Sequence, residues 1–176
     1  DRYLLSVGRD RQWAVFQRND QEPSLFTMMA SNPKGHSRMI LSAAWAPILA
    51  NPVFATAGRD KSVKLWQKVA DGFVCKSTIP LKSAASALSF VQHIHNGGLI
   101  LAAGDDSGEV SLHRISVDSL ETERIATVDR HISPSKAITR LSWRPSGNLT
   151  DELKLELAIA SEDTSTRIYA ISNMFS

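Results

Sequence analysis

A short glycine–aspartate segment that recurs about every fifty residues restricts the folds open to this chain more than any other feature. The stretch 5–11 (LSVGRDR) matches 55–61 (ATAGRDK) position by position, and weaker copies lie at 99–108 and 157–163. The equivalent points are Asp10, Asp60, Ser107 and Asp163, which are separated by 50, 47 and 56 residues. A repeat at this spacing predicts a row of similar supersecondary units, each burying an apolar face against its neighbours.

Each unit contains short segments with the alternation of β-strands. The segment after the repeated turn ends in an aromatic residue or histidine: Phe16, Trp66, His113 or Tyr169. Another set of strand-like segments comes before the turns, at 41–47 (LSAAWAP), 87–90 (ALSF) and 141–145 (LSWRP). The unit is slightly longer than the 40–45 residues typical of a four-stranded propeller blade. We therefore predict an all-β fold, a β-propeller of about four blades.

The repeat also predicts the blade boundaries within one propeller domain. Residues 1–30 form a partial blade, 31–83 a complete blade, 84–130 a degenerate blade, and 131–176 a last blade without its outer strand. A propeller protects its sheet edges by closing into a ring, and four blades of this type seldom close alone. We expect the C-terminal half of a ring of about seven blades.

The second repeat unit carries four polar or aromatic residues at diagnostic places. His36 precedes the first strand, Thr56 lies in the second, Asp60 in the tight turn and Trp66 in the third. This arrangement resembles the structural tetrad of a WD-repeat blade. The resemblance implies a hydrogen-bond chain from the Trp66 indole through Thr56 and His36 to Asp60, in which each buried polar group is satisfied.

The other units keep the tetrad only in part. The first retains Ser6 and Asp10 but has Phe16 in the tryptophan place, so it lacks the indole donor. The third has Ala103, Ser107 and His113 at the matching places, and the fourth has Ile159, Asp163 and Tyr169. We expect sheet packing, rather than a polar chain, to stabilise these last two blades.

Longer motifs extend the resemblance along nearly the whole chain. They are 8–13 (GRDRQW), 36–40 (HSRMI) leading into 45–47 (WAP), 58–63 (GRDKSV), 136–143 (KAITRLSW) and 165–169 (STRIY). Together they resemble the C-terminal part of the second propeller in the Elongator subunit 2 family of WD-repeat proteins. The resemblance implies a non-catalytic scaffold that binds the catalytic and largest Elongator subunits. It also implies support for modification of wobble uridines in transfer RNA, with transfer RNA itself as a further candidate partner.

Basic residues cluster at the tight turns and at the connection entering the second blade. They are Arg9, Arg11, Arg38, Arg59 and Lys61. Turns and entering connections open on one face of a propeller, so these cations are expected to share a rim. Arginine suits bidentate contacts to phosphate or carboxylate, which favours transfer RNA or an acidic partner surface. The alternative is that each cation pairs with its turn aspartate or lies in solvent.

Three tryptophans are candidates for core packing or for stacking on a partner. Trp45 and Trp143, in the apolar segments before the turns, are assigned to the core. Trp13 alternates out of phase with Phe16, so it packs in the core or stacks on a partner.

Other features count against further chemistry. A single cysteine, Cys75, excludes a disulfide framework or thiolate cluster and favours a reducing compartment, cytoplasm or nucleus. The apolar run 39–50 is too short to span a bilayer. His93 and His95 lack further ligands nearby, and Asp105–Asp106 and 121–123 are assigned to turns and loops. We therefore expect no enzyme, metal, cofactor, membrane contact or small-molecule substrate. The open alternatives are another WD-repeat adaptor, such as a substrate receptor or a chromatin-associated peptide reader, and a propeller enzyme.

Overall fold

Antiparallel β-strands account for the regular structure of the chain in a computed structural model, which describes residues 2–47, 49–94, 97–129, 131–145 and 155–171. The strands, in chain order, are β1 Tyr3–Val7, β2 Trp13–Arg18, β3 Phe26–Asn32, β4 Ile40–Trp45, β5 Val53–Gly58, β6 Ser62–Val69, β7 Gly72–Pro80, β8 Ala85–Phe90, β9 Gly98–Asp105, β10 Val110–Ser116, β11 Thr122–Thr127, β12 Ile138–Trp143, β13 Leu155–Ser161 and β14 Thr166–Ile171. Within the described ranges these fourteen strands form four sheets.

Each sheet is a meander whose strands pair in sequence order. The sheets are β1-β2-β3, β4-β5-β6-β7, β8-β9-β10-β11 and β12-β13-β14, and we number them blades 1 to 4. This arrangement confirms the predicted all-β, partial propeller of about four blades. In blade 1, β3 continues to Asn32, beyond the expected boundary at residue 30. The expected C-terminal end of blade 4 and part of its β12–β13 connection lie outside the described residues.

Three apolar clusters hold successive blades together. One lies between blades 1 and 2 around Trp13 and Phe54, the next between blades 2 and 3 around Leu65 and Leu101, and the last between blades 3 and 4. All residues of β5 and β9 are buried, since neighbouring blades cover both faces of these strands. Burial on both faces explains why their sequences are almost continuously apolar or small.

The tight turns β1–β2, β5–β6, β9–β10 and β13–β14 share one backbone form. The residue after each equivalent point has a left-handed φ: 71° at Arg11, 63° at Lys61, 89° at Gly108 and 68° at Thr164. Its N–H donates to the carbonyl three residues earlier, at 3.2–3.3 Å in every case. The four turns are therefore structurally equivalent, as their sequence alignment predicted.

The tryptophans lie in or against the core. Trp13 is only 2% exposed and packs edge-on against Phe54, Trp66 and Phe73. Stacking of Trp13 on a partner is thus the wrong one of its two interpretations, because blade 2 already covers the ring. Trp143 is buried, and its indole N–H donates to the Ser89 carbonyl.

Candidate functional site

Turns and connections alternate along one edge of the four blades. The connection 33–39, which enters blade 2, accepts from the blade-2 turn (Arg59 N to Met39 O, 2.9 Å) and donates to the blade-1 turn (His36 N to Arg11 O, 3.4 Å). Further along, Asp106 N donates to Ala84 O, and Glu162 N donates to Ala137 O, both at 3.0 Å. The turns 8–12, 58–62, 105–109 and 161–165 and the connections 33–39, 81–84 and 131–137 form this edge, which we call the turn edge.

A buried hydrogen-bond chain runs through blade 2 to the turn edge. Trp66 Nε1 lies 2.9 Å from Thr56 Oγ1, and Thr56 Oγ1 lies 2.7 Å from His36 Nε2. His36 Nδ1 lies 2.9 Å from Asp60 Oδ1. With a neutral histidine protonated on Nδ1, the indole donates to Thr56, Thr56 donates to His36, and His36 donates to Asp60. The structure thus brings the four predicted tetrad residues of this blade together.

The chain is arranged so that histidine is neutral and aspartate is ionised. Burial lowers the pKa of His36, and the hydrogen bond and charge of Asp60 only partly oppose this effect. Burial by itself would raise the pKa of Asp60, but hydrogen bonds from His36, Ser62 and the Ser37 backbone outweigh it and lower the pKa to about 2. Donors within the chain therefore occupy the carboxylate oxygens of Asp60.

Asp60 also fixes the connection that carries Arg38. Its Oδ2 accepts from the Ser37 N–H at 2.9 Å, and its Oδ1 accepts from the Ser62 hydroxyl at 2.7 Å. The close approach requires glycine at position 58, since a Cβ there would collide with the His36 ring and lie 2.6 Å from Asp60 Oδ1. The tetrad is in this way the support of the turn edge in blade 2.

The two tetrad residues predicted in blade 1 do not form a comparable chain. Among the described residues, Asp10 accepts only from the Gln12 N–H, at 3.1 Å. Ser6 is exposed, and its hydroxyl makes no hydrogen bond to any part of the chain that the structure describes. Phe16, in the tryptophan place, offers no donor.

Blade 3 contains a polar pair that the sequence comparison did not identify. His113 occupies the place of Trp66 and lies, at 3% exposure, with Nε2 2.9 Å from Ser111 Oγ. Burial, together with the charge of Arg124, lowers the pKa of His113 to about 4. The signal was the i, i+2 spacing of Ser111 and His113 in a strand, which places both on one face. The expectation that packing alone stabilises this blade was therefore incomplete.

The predicted basic residues lie on the turn edge with exposed side chains. Arg38, Arg59 and Lys61 line one cleft of about 520 Å³, together with Ser37, Asp60, Ser83, Ala84 and Asp106. Arg9 and Arg11 lie on the neighbouring turn, whose Arg11 carbonyl contacts the same connection. Across the described ranges, no hydrogen bond or ion pair engages the side chain of any of the five cations. Pairing of Arg59 with its turn aspartate does not occur, because Asp60 is occupied by His36, Ser62 and Ser37.

Other candidate sites carry little. The described residues contain no group of three or more histidine, cysteine or acidic side chains placed to hold a metal ion. His95 of the His93–His95 pair lies outside the described residues. Asp105 is a buried turn residue whose Oδ1 accepts from Ser107 and Glu109. Among the described residues, none belongs to a helix long and apolar enough to cross a membrane.

Comparisons with known proteins agree with this architecture. A family model described as WD domain, G-beta repeat matches residues 29–67, which include the tetrad. Elongator complex protein 2 of Saccharomyces cerevisiae is 36% identical over 174 residues, covering 97% of this chain and 21% of the relative. The proteins of the same name from Schizosaccharomyces pombe and Dictyostelium discoideum are 33% and 31% identical, covering 98% and 97% of this chain and 22% and 20% of the relatives. The chain spans about one fifth of the length of the curated relatives it matches. The chain contains a WD repeat, and its similarity over nearly its whole length makes it a member of the Elongator complex protein 2 family.

Proposed function

We propose that this chain is part of a non-catalytic scaffold subunit of the Elongator complex, and that its turn edge is a binding surface. The partners we assign are the catalytic and largest subunits, with transfer RNA as a further candidate at the basic rim. The biological role would be support for modification of wobble uridines, in the cytoplasm and nucleus. The names of the relatives support membership of the complex, and the finer roles are our proposal.

The observation that carries this proposal is a set of five exposed cations that are free to bind. Arg9, Arg11, Arg59 and Lys61 lie on turns, and Arg38 on a connection, that backbone hydrogen bonds hold in place, and no described side chain occupies them. Exposed ion pairs stabilise a fold by only about 0–1 kcal/mol. Fold stability therefore gives little reason for two matching cationic turns, whereas an anionic partner would use the guanidinium forks directly.

The rigid support of the cations strengthens this interpretation. Binding to a mobile loop orders its backbone, at a cost of about 1–2 kcal/mol per residue, in addition to about 0.5–1.5 kcal/mol for each immobilised side chain. Here the backbone that carries Arg38 and Arg59 is already fixed by Asp60 and by the Arg59–Met39 hydrogen bond. The loss on binding is thus restricted to the side chains.

The proposal is tested in the full-length protein by reversing Arg9, Arg38 and Arg59 to glutamate. Retention of the other Elongator subunits or affinity for a transfer RNA transcript should fall by about tenfold or more, with a shift in melting temperature of less than about 2 °C. The matched control replaces Arg18, Lys68 and Lys76 by glutamate. This variant has the same change of charge, at positions away from the turn edge. Equal binding by the two triple variants would refute the role of the rim. Purification without the catalytic subunit would refute the assignment to the complex.

A further inference from the structure

The charge of the turn edge changes sign between blades 2 and 3. The four equivalent turns place Arg9, Arg59, Asp106 and Glu162 at the same position. In blades 2 to 4 this position is also marked by the N–H that donates to the entering connection. Its side chain is exposed in every blade. The residue is thus arginine in blades 1 and 2 and an acid in blades 3 and 4.

The left-handed position of the turns shows the same division. It is occupied by Arg11 and Lys61 in the first two blades, and by Gly108 and Thr164 in the last two. The side chains therefore change from cationic to neutral at the point where the neighbouring position becomes acidic. At these two positions of one backbone motif, the turns of blades 1 and 2 are basic and those of blades 3 and 4 are acidic.

The acids at the first of these positions are available to a partner. Asp106 accepts the Ala84 N–H at 3.2 Å and has no cationic side chain as a partner in the described ranges. The Glu162 side chain makes no hydrogen bond or ion pair to any described residue. By contrast, Glu109 is paired with Lys82 at 3.3 Å, and Asp163 is paired with Arg167 at 3.4 Å. Asp106 and Glu162 are the acidic counterparts of Arg9 and Arg59.

This division is unfavourable for a nucleic acid lying along the whole edge. A phosphate backbone carries negative charge along its entire length, so it gains at blades 1 and 2 and is repelled at blades 3 and 4. The conflict is present even within the cleft, where Asp106 shares the wall with Arg38, Arg59 and Lys61. Like charges placed opposite each other at an interface exclude the wrong partner and fix the register of the right one.

We propose that the turn edge binds a protein partner whose docking surface is acidic opposite blades 1 and 2 and basic opposite blades 3 and 4. This inference rests on the proposed function, and it assigns the edge to a protein subunit rather than to transfer RNA. The two charge signs determine the direction in which the partner lies, because a partner docked the other way round meets like charges at both ends.

The test uses the sign of the response to Asp106→Lys and Glu162→Lys, made together in the full-length protein. The probes are the co-purifying Elongator subunits and an unmodified transfer RNA transcript. Retention of the subunits at 0.15 M salt should fall by about five- to tenfold, and the deficit should shrink at high salt. Affinity for the transcript should stay the same or rise, because repulsion has been removed. Glu162→Lys alone, which touches no described partner, and Asp106→Asn, which keeps the acceptor for Ala84, guard against an effect of misfolding.

The control for charge reverses Asp118 and Glu121 to lysine; both are exposed at the opposite edge of blade 3. Unchanged or increased retention of the subunits in the Asp106/Glu162 variant would overturn the inference, whatever the affinity for the transcript. In either case the proposed function stands if reversal of Arg9, Arg38 and Arg59 still weakens binding. If that reversal has no effect, the proposed function itself fails.

Discussion

The hydroxyl of Thr56 is the central link of the tetrad, and its removal is the most direct test of the chain. Thr56→Val keeps the shape of the side chain and deletes the oxygen. The Trp66 N–H and His36 Nε2 both lose their partner in a place where Thr56 is fully buried and the two rings are 4% and 2% exposed. Water cannot easily replace the lost oxygen in such a site, so both groups remain unsatisfied.

The magnitude follows from those two groups. Leaving a buried donor or acceptor without a partner costs roughly 1–3 kcal/mol, so Thr56→Val should reduce the free energy of unfolding by roughly 2–6 kcal/mol. The volume is nearly conserved, and no cavity cost is added. The assay is urea denaturation followed by tryptophan fluorescence, in which the midpoint shifts while the slope stays constant.

Two controls make the interpretation specific. Thr56→Ser retains the hydroxyl and removes one buried methyl, so it should cost only about 1 kcal/mol. Thr78→Val makes the same chemical change on the exposed outer strand of the same blade, in line with Lys64 and Thr56, and should change stability by less than about 0.5 kcal/mol. If Thr56→Val and Thr78→Val have equal effects, the hydroxyl is not satisfied in the way described and the reasoning is refuted.

Two further predictions concern pH and backbone strain. The lowered pKa values of His36 and His113 mean that the unfolded chain binds more protons below pH 6.5, so stability should fall as pH decreases from 6.5 toward about 4, with His113 contributing up to about 3 kcal/mol. His113→Phe should weaken the dependence of the denaturation midpoint on pH in this range. An unchanged dependence would contradict a buried neutral histidine. Among the glycines, Gly108→Ala should destabilise by about 3 kcal/mol or more, because its Cβ would collide with the backbone carbonyls of the connection entering blade 4. Gly97→Ala, also at positive φ but with nothing within 4 Å, should cost only about 1 kcal/mol in the same melts, and equal losses would show that φ alone matters.

Short-range patterns account for the parts of the fold that could be predicted from the amino-acid sequence. Thr56 in β5, the tight turn that contains Asp60, and Trp66 in β6 all lie within ten residues of one another. Their hydrogen bonds depend on strand register and turn geometry, which local residue types specify. The equivalence of the four turns and the places of Thr56, Asp60 and Trp66 were therefore predictable. The link to His36, 20 residues from Thr56 and 24 from Asp60, was implied by the resemblance to a WD-repeat blade.

Packing between blades determined which side chains are buried where local sequence patterns could not predict it. Trp13 is buried because Phe54 and Phe73, some forty to sixty residues away, cover it, and no local pattern distinguishes that face from a free one. The Ser111–His113 pair likewise depends on packing between blades, which removes both side chains from water.

The basic turns show most clearly what the sequence determined and what the tertiary structure determined. The sequence by itself determined that Arg59 is next to Asp60, but it did not determine whether the guanidinium pairs with that carboxylate. Tertiary structure decided this, because His36 and Ser37 arrive from a distant connection and take up the carboxylate. It also placed Asp106 in the same cleft as Arg59, since a shared edge arises only when separate blades pack side by side.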